Sequence, residues 1–224
     1  MNSHCLFGTQ WNSLFRAGRV CLAAALVFLT AMEASHASER SERFIQDALN
    51  KSYEILNDKT LTEKDRTENF GAFLDSIVDF RRTALFTVGA YANRSNPGEI
   101  EEFVGSFKRH ITATVKSNLE AVRDYALILR GSTDRAIDDS IVLVELTDTQ
   151  TASNETFQTA FRVRNDTTGN PIIVDIQFEG IWLAITDRAD YTSFLARSGG
   201  KLPSLSRFLD DLALENEAAE DVPQ

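Results

Sequence analysis

The sequence predicts an α+β protein, an antiparallel sheet with helices over one face, and three observations carry that prediction. Apolar residues recur at helical spacing through the first half of the chain, from Arg43 to Val122. Past Gly131 the period changes to two, and turn-forming clusters separate the short alternating runs. A further helical stretch, Trp182 to Ser198, then ends at Gly199-Gly200. A chain of 224 residues with 43% hydrophobic residues is long enough for one domain with appendages.

The N-terminus stands apart from that domain. Arg16 and Arg19 precede the apolar run "VCLAAALVFLTAMEA", which is short for a membrane span, and Ser35 and Ala37 supply the small residues of a cleavage site. This predicts a secretory signal peptide over residues 1–37, with an uncleaved anchor as the alternative. Cleavage removes both cysteines, Cys5 and Cys21, leaving no disulfide, thiolate nucleophile or Cys metal ligand. Residues 1–37 carry Arg16 and Arg19 against Glu33, so the total of −10 less this +1 leaves −11 on the remainder. Such a body repels phosphate backbones and anionic lipid surfaces, and no basic block interrupts it, which argues against nucleic-acid binding.

The elements follow in order. Phe44, Ala48, Leu49 and Tyr53 predict a helix over Arg43–Leu56, and Phe73, Leu74, Ile77 and Val78 predict a second one from Phe70. In "RSNPGEIEEF", Asn96 is a good N-cap, Pro97 suits the first helical position and Glu99 completes a capping box. The helix it starts carries an apolar stripe through Phe103, Phe107, Ile111, Val115, Leu119 and Val122. In the sheet half, Val142, Val144 and Leu146 share one side. Phe157, Thr159, Phe161 and Val163 likewise share one side, with Gln158, Arg162 and Arg164 on the other. After the turn "NDTTGNP", Val174, Ile176 and Phe178 alternate with Asp175, Gln177 and Glu179. The expected domain is 38–212: a helical half at 38–130, a sheet half at 131–181 and closing helices at 182–212. The acidic tail at 213–224 is expected to be disordered.

A search for chemistry is mostly negative: no HExxH, GxSxG, GxGxxG or complete P-loop occurs. His110, the one histidine after residue 37, flanks an amphipathic stripe and reads as structural. Asp175 on the polar side of its strand reads as a solvent-facing residue or a salt-bridge partner. No catalytic residue, metal site or cofactor is predicted.

Two longer stretches resemble a known family. "FTVGAYANRSNPGEIEEFVGSFKRHI" is similar to the region in MlaC-type proteins, the toluene-tolerance family of periplasmic lipid carriers, where an aromatic-Arg segment precedes a turn and an "EF…F" helix. "IVDIQFEGIWLAITDRADYTSFLARSGG", followed by "LPSLSRFL", resembles the family's closing segment. The likeness spans about Phe44 to Leu212. The chain departs from the pattern at Tyr91-Ala92-Asn93-Arg94, at Val115 and at Trp182.

The resemblance implies a curved, NTF2-like antiparallel sheet whose covering helices enclose an apolar lipid cavity. Lining residues would be Val142, Val144, Phe161, Val163, Val174, Ile176 and Phe178 from the strands. Phe103, Phe107 and Ile111 would join them from the long helix, and Phe86, Val88 and Tyr91 from the segment before it. Ile181 and Trp182 would form one rim. It further implies a monomeric, non-enzymatic periplasmic shuttle that helps maintain outer-membrane lipid asymmetry. Its partners would be an inner-membrane ABC transporter with an MCE-domain ring and an outer-membrane lipoprotein complex. The cargo would be phospholipid, or a hopanoid or other non-phospholipid in the hopanoid-associated branch. The rival is an NTF2-like enzyme with an acid/base pair such as Tyr91 and an Asp; it needs an inward carboxylate, and the strand carboxylates that periodicity places all point outward.

Overall fold

Ser38 Oγ donates to Asp134 Oδ2 at 2.6 Å and Ser132 Oγ to Glu42 Oε1 at 2.7 Å, tying the first helix to the first strand. The computed structural model describes residues 38–121, 125–148 and 156–220; the expected signal peptide lies outside them. Helix α1 covers residues 38–56, starting before the predicted Arg43, and buries Ile45, Ala48, Leu49 and Ser52 along one face. Helix α2 (Glu63–Ile77) is capped by Thr62, whose hydroxyl accepts from the Asp65 N–H at 3.1 Å. It begins earlier than the predicted Phe70, and its buried stripe is Phe70, Leu74 and Ile77.

Val78, predicted on that helix, leaves it. The residue is extended and forms a parallel bridge with Ile173, and the Asp79 N–H donates to the Ile173 carbonyl at 3.0 Å. The Asp79 carboxylate then caps helix α3 (Phe80–Val88) through the Arg82 N–H. A 3₁₀ turn (Gly89–Arg94) leads to helix α4 (Pro97–Ala121), which is about 37 Å long at 1.5 Å per residue. The predicted capping box is present at both ends of the exchange. The Glu99 N–H donates to Asn96 Oδ1 and the Asn96 N–H to Glu99 Oε2, each at 3.0 Å.

Five strands follow: β1 (Tyr125–Ala136), β2 (Asp139–Asp148), β3 (Thr156–Asn165), β4 (Pro171–Phe178) and β5 (Ile181–Trp182). They form one antiparallel sheet in chain order. The sheet begins at Tyr125, so the predicted boundary at 131 falls inside β1. Two bulges, at Leu129/Gly131 and Asp134/Ala136, break the alternation of that strand and hid it from a period-two reading. Val142 faces Phe161, Leu146 faces Phe157 and Phe161 faces Ile176, so these residues share the helix-covered face. The β4–β5 turn is Glu179-Gly180, with φ of 47° and 84°, the left-handed pair that a two-residue hairpin demands.

Helix α5 (Leu183–Arg197) starts one residue after the predicted Trp182 and stops at Gly199 and Gly200, both at positive φ. The Gly200 N–H closes that end on the Leu195 carbonyl at 2.7 Å. Helix α6 (Leu202–Glu220) overturns the expected disordered tail for all but residues 221–224, which lie outside the described chain. Its "LALENEAAE" segment is rich in strong helix formers, and propagating an established helix is easy where nucleating one is not. Ala213 is buried, and the Asn216 amide donates to Thr114 Oγ1 at 3.2 Å. Ser106 and Arg109 bind Asp210, so α4 and α6 run side by side in the same direction.

The core lies between these helices and the sheet. Phe70, Phe103, Phe107, Leu195, Leu202, Leu205 and Leu209 meet Val142, Val144 and Val163 there, all essentially solvent-free. Each such side chain contributes about 1.5–3 kcal/mol relative to an exposed position.

Candidate functional site

The helix-covered face of the sheet is closed over its middle and open toward the end that carries Tyr125, Phe157 and Phe178. In the closed middle of that face Val142, Val144 and Val163 pack against Phe103, Phe107 and Val88, all at most 2% exposed. Their atoms are already occupied by protein neighbours, so six residues of the predicted lining are seated in the core. Ile111, Phe161, Ile176 and Tyr91 are half-buried and lean on that core. Phe178 and Ile181, paired across the last hairpin, are 45% and 58% exposed.

The open end is therefore where an apolar ligand has surface to touch. Leu127 and Leu129 of β1, Phe161 of β3 and Ile176 of β4 flank the closed middle and lead to that end, all half-buried. Beyond them the rings of Tyr125, Phe157 and Phe178 form a row, with centroids 6.0 Å apart in each step and the last two stacked. The long helix opens in the same direction. Its stripe passes from buried Phe103 and Phe107 to half-buried Ile111 and Val115. Ala121 and Tyr125 are four residues apart in the chain, which limits the gap to about 14 Å and puts the helix end beside the open end of the sheet.

Three predicted lining residues sit elsewhere. Ile173 and Ile176 both pack on the core, and a bulge opposite Arg162/Val163 leaves Val174 and Asp175 together on the other face. Strict alternation had placed Val174 inward; the extra residue reverses it. Val174, Phe86 and Trp182 line a separate cavity of about 240 Å³, between α3, the strands and the start of α5. Arg82, Arg135, Arg162 and Arg164 supply its cationic walls. Arg162 grips Asp139 through Nε and Nη2 at 2.9 and 2.6 Å, and Arg164 reaches Asp138 at 2.8 Å. The Arg162 bond holds the Asp139 carboxyl below its ordinary value.

Asp175 is half-buried and has no ion pair among the described residues. Its Oδ1 accepts from the Ile176 N–H at 2.9 Å and the Ala184 N–H at 3.0 Å, and burial raises its carboxyl despite those bonds. Asp187, one turn further along α5, is pushed up to about 7 by burial, with Asp190 and Asp175 adding repulsion. Burial likewise raises the Tyr191 phenol, whose hydroxyl has no hydrogen-bond partner among the described residues. His110 is half-buried and burial lowers its imidazole.

Two strand carboxylates correct the expectation that all point outward. The pairings Asp134 with Ser140 and Tyr125 with Asp148 put both acids on the helix-covered face. Asp134 is held there by the hydroxyls of Ser38 and Ser140. Tyr91 has its ring against Gly200, with the Arg94 guanidinium 5.7 Å above it. The residues that sequence reasoning missed are Tyr125, hidden in the bulged strand, and Arg82 and Arg135, which only the tertiary fold brings to one cavity. Phe157 shares the inward side of its strand and joins the open end, beyond the predicted lining.

The family model "MlaC protein" matches residues 46–211. The fold is similar to that of the phospholipid-binding protein from Ralstonia solanacearum, solved in complex with a phospholipid. That likeness has a TM-score of 0.63 at 18% identity, over 81% of this chain and 98% of that one. No curated protein matches the chain.

Proposed function

The chain belongs to the MlaC family, and on that premise we propose that it is a carrier that binds phospholipid by its acyl chains at the open end of the sheet. The observation that supports this most directly is the apolar floor that runs from Phe161 and Ile176 to the half-buried Phe157 and the exposed Phe178 stacked on it. Few soluble proteins leave such a surface on the core side of a sheet without a ligand to cover it. The Ralstonia neighbour was solved with a phospholipid, which agrees with this reading. Binding would work by desolvation, with no covalent step: burying one methylene is worth roughly 0.8 kcal/mol. An acyl chain of about fourteen methylenes then gains on the order of ten kcal/mol before the cost of ordering lipid and protein.

The carrier would work in the periplasm as a monomer after loss of residues 1–37. It would exchange lipid with an inner-membrane MCE-domain and ABC-transporter complex and with an outer-membrane lipoprotein complex, so maintaining outer-membrane lipid asymmetry. The acidic surface suits docking to protein partners better than adsorption to anionic lipid. An organic extract of the purified protein, analysed by mass spectrometry, tests the central claim. Stoichiometric phospholipid is the expected result, and an extract without lipid would remove the proposal's physical basis. A hopanoid in its place would change the cargo and leave the mechanism standing.

A further inference from the structure

We propose that the arginine-walled cavity on the opposite face of the sheet is an anion site for a phosphate mono- or diester. Its charge is not self-compensated. Arg162 and Arg164 are matched by Asp139 and Asp138, but Arg82 and Arg135 have no carboxylate within ion-pair distance among the described residues. The remaining acid in the wall, Asp175, already accepts two backbone N–H groups. On a chain carrying −10 overall, four guanidinium groups converging on one cavity run against the general charge.

The shape narrows the chemistry. A volume of about 240 Å³ holds several times the roughly 30 Å³ that one water occupies in the liquid, enough for a phosphate with part of its ester. Arg82 comes from α3 and Arg135 from the bulged end of β1, so the free donors approach from different elements. A tetrahedral phosphate ester offers acceptor oxygens in more than one plane and can take both forks while its ester oxygen points to an apolar wall. A carboxylate, with two coplanar oxygens, does this less well. Phe86 and Trp182 give the same cavity an apolar wall for the organic part of the ester.

The site does not depend on the open end of the sheet carrying lipid. Its phosphate could belong to a lipid headgroup or to a soluble ester, and the test separates them. Isothermal titration of the full chain would use three probes: inorganic phosphate, glycerol 3-phosphate, and dihexanoylphosphatidylglycerol below its micelle concentration. Titrations are repeated on the double variant Arg82→Gln/Arg135→Gln and on the control Arg207→Gln, an exposed residue of α6. Both substitutions of the double variant are at exposed positions, and a thermal melt checks that it folds. The expected result is binding that weakens about tenfold or more in the double variant, the scale of a lost charge-assisted bond, and is unchanged in the control. Binding of the two soluble probes alone assigns a soluble ester; binding of the lipid probe with the same arginine dependence assigns a headgroup. Phe161→Glu, which disrupts the apolar end, should leave phosphate binding intact, so failure of the carrier reading is told apart from failure of this one. Absence of binding by every probe, or equal binding by the double variant, overturns the proposal.

Discussion

Asp175 of β4 accepts a hydrogen bond from the backbone N–H of Ala184, 3.0 Å away in the first turn of α5. Trp182, at the N-cap position, makes no side-chain bond to that helix. A strand residue nine positions before Ala184 therefore does the work of a cap.

Replacing Asp175 with Ala should lower stability by about 1 kcal/mol, the usual value of a lost cap. Asp175→Asn should recover most of it, because the amide oxygen still accepts. Chemical denaturation of the two variants checks this; equal losses in both would mean the charge, not the hydrogen bond, matters.

Asp187 sets a pH dependence. Its carboxyl is raised from 3.8 to about 7, so the folded chain holds a proton that the unfolded chain has released. This contribution to stability is full below pH 3.8 and declines as pH rises toward 7. Asp187→Asn should flatten the melting temperature across that window and make the variant more stable than the wild type at pH 8. Thermal melts at a series of pH values would show it, and parallel curves for the two proteins would refute it.

Half-buried and fully buried positions on the helix-covered face should respond differently to a buried charge. Phe161→Glu, on the half-buried floor, should keep a cooperative melt and lose co-purifying lipid, because its carboxylate reaches water once lipid is gone. Val144→Glu, on a fully buried strand position, should cost at least about 3 kcal/mol or prevent folding, as an uncompensated buried charge does. Unfolding of the Phe161 variant would place that residue in the core instead.

Asn96→Ala should cost about 1 kcal/mol, since it removes one half of a reciprocal cap on the longest helix. The loss is read in the same denaturation assay, and Asn96→Ser should recover it.

Local signals explain what was legible. Asn96, Pro97 and Glu99 announce a helix start within four residues, and the alternation from Phe157 to Val163 survives in β3 because that strand meets its β2 partner without a slip. Where the backbone adds a residue the pattern misleads: Gly131 and Arg135 broke up β1, and Val174 changed sides. The tail after Leu212 was read from its charge, yet its Ala and Glu content extends α6. Burial depth was not legible at all. Val144 and Phe161 have the same periodicity, and only packing distinguishes a core position from an open one. The arginine cavity joins α3, β1, β3 and β4, a meeting that no window of sequence contains.

The parallel pairing of α4 with α6 has a consequence for the order in which the chain is expected to fold. The strands pair with their neighbours in the chain, so the sheet is built from short closures. Ser106 and Asp210, by contrast, are separated by 104 residues. Leu202, Leu205 and Leu209 cover Phe103 and Phe107 only when that last closure is made. The final helix is therefore expected to dock after the rate-limiting step, and Leu202, Leu205 and Leu209 to reach the core last. Asp210→Ala should accelerate unfolding in stopped-flow experiments while leaving the refolding rate nearly unchanged. Slower refolding would put the C-terminal helix in the nucleus instead.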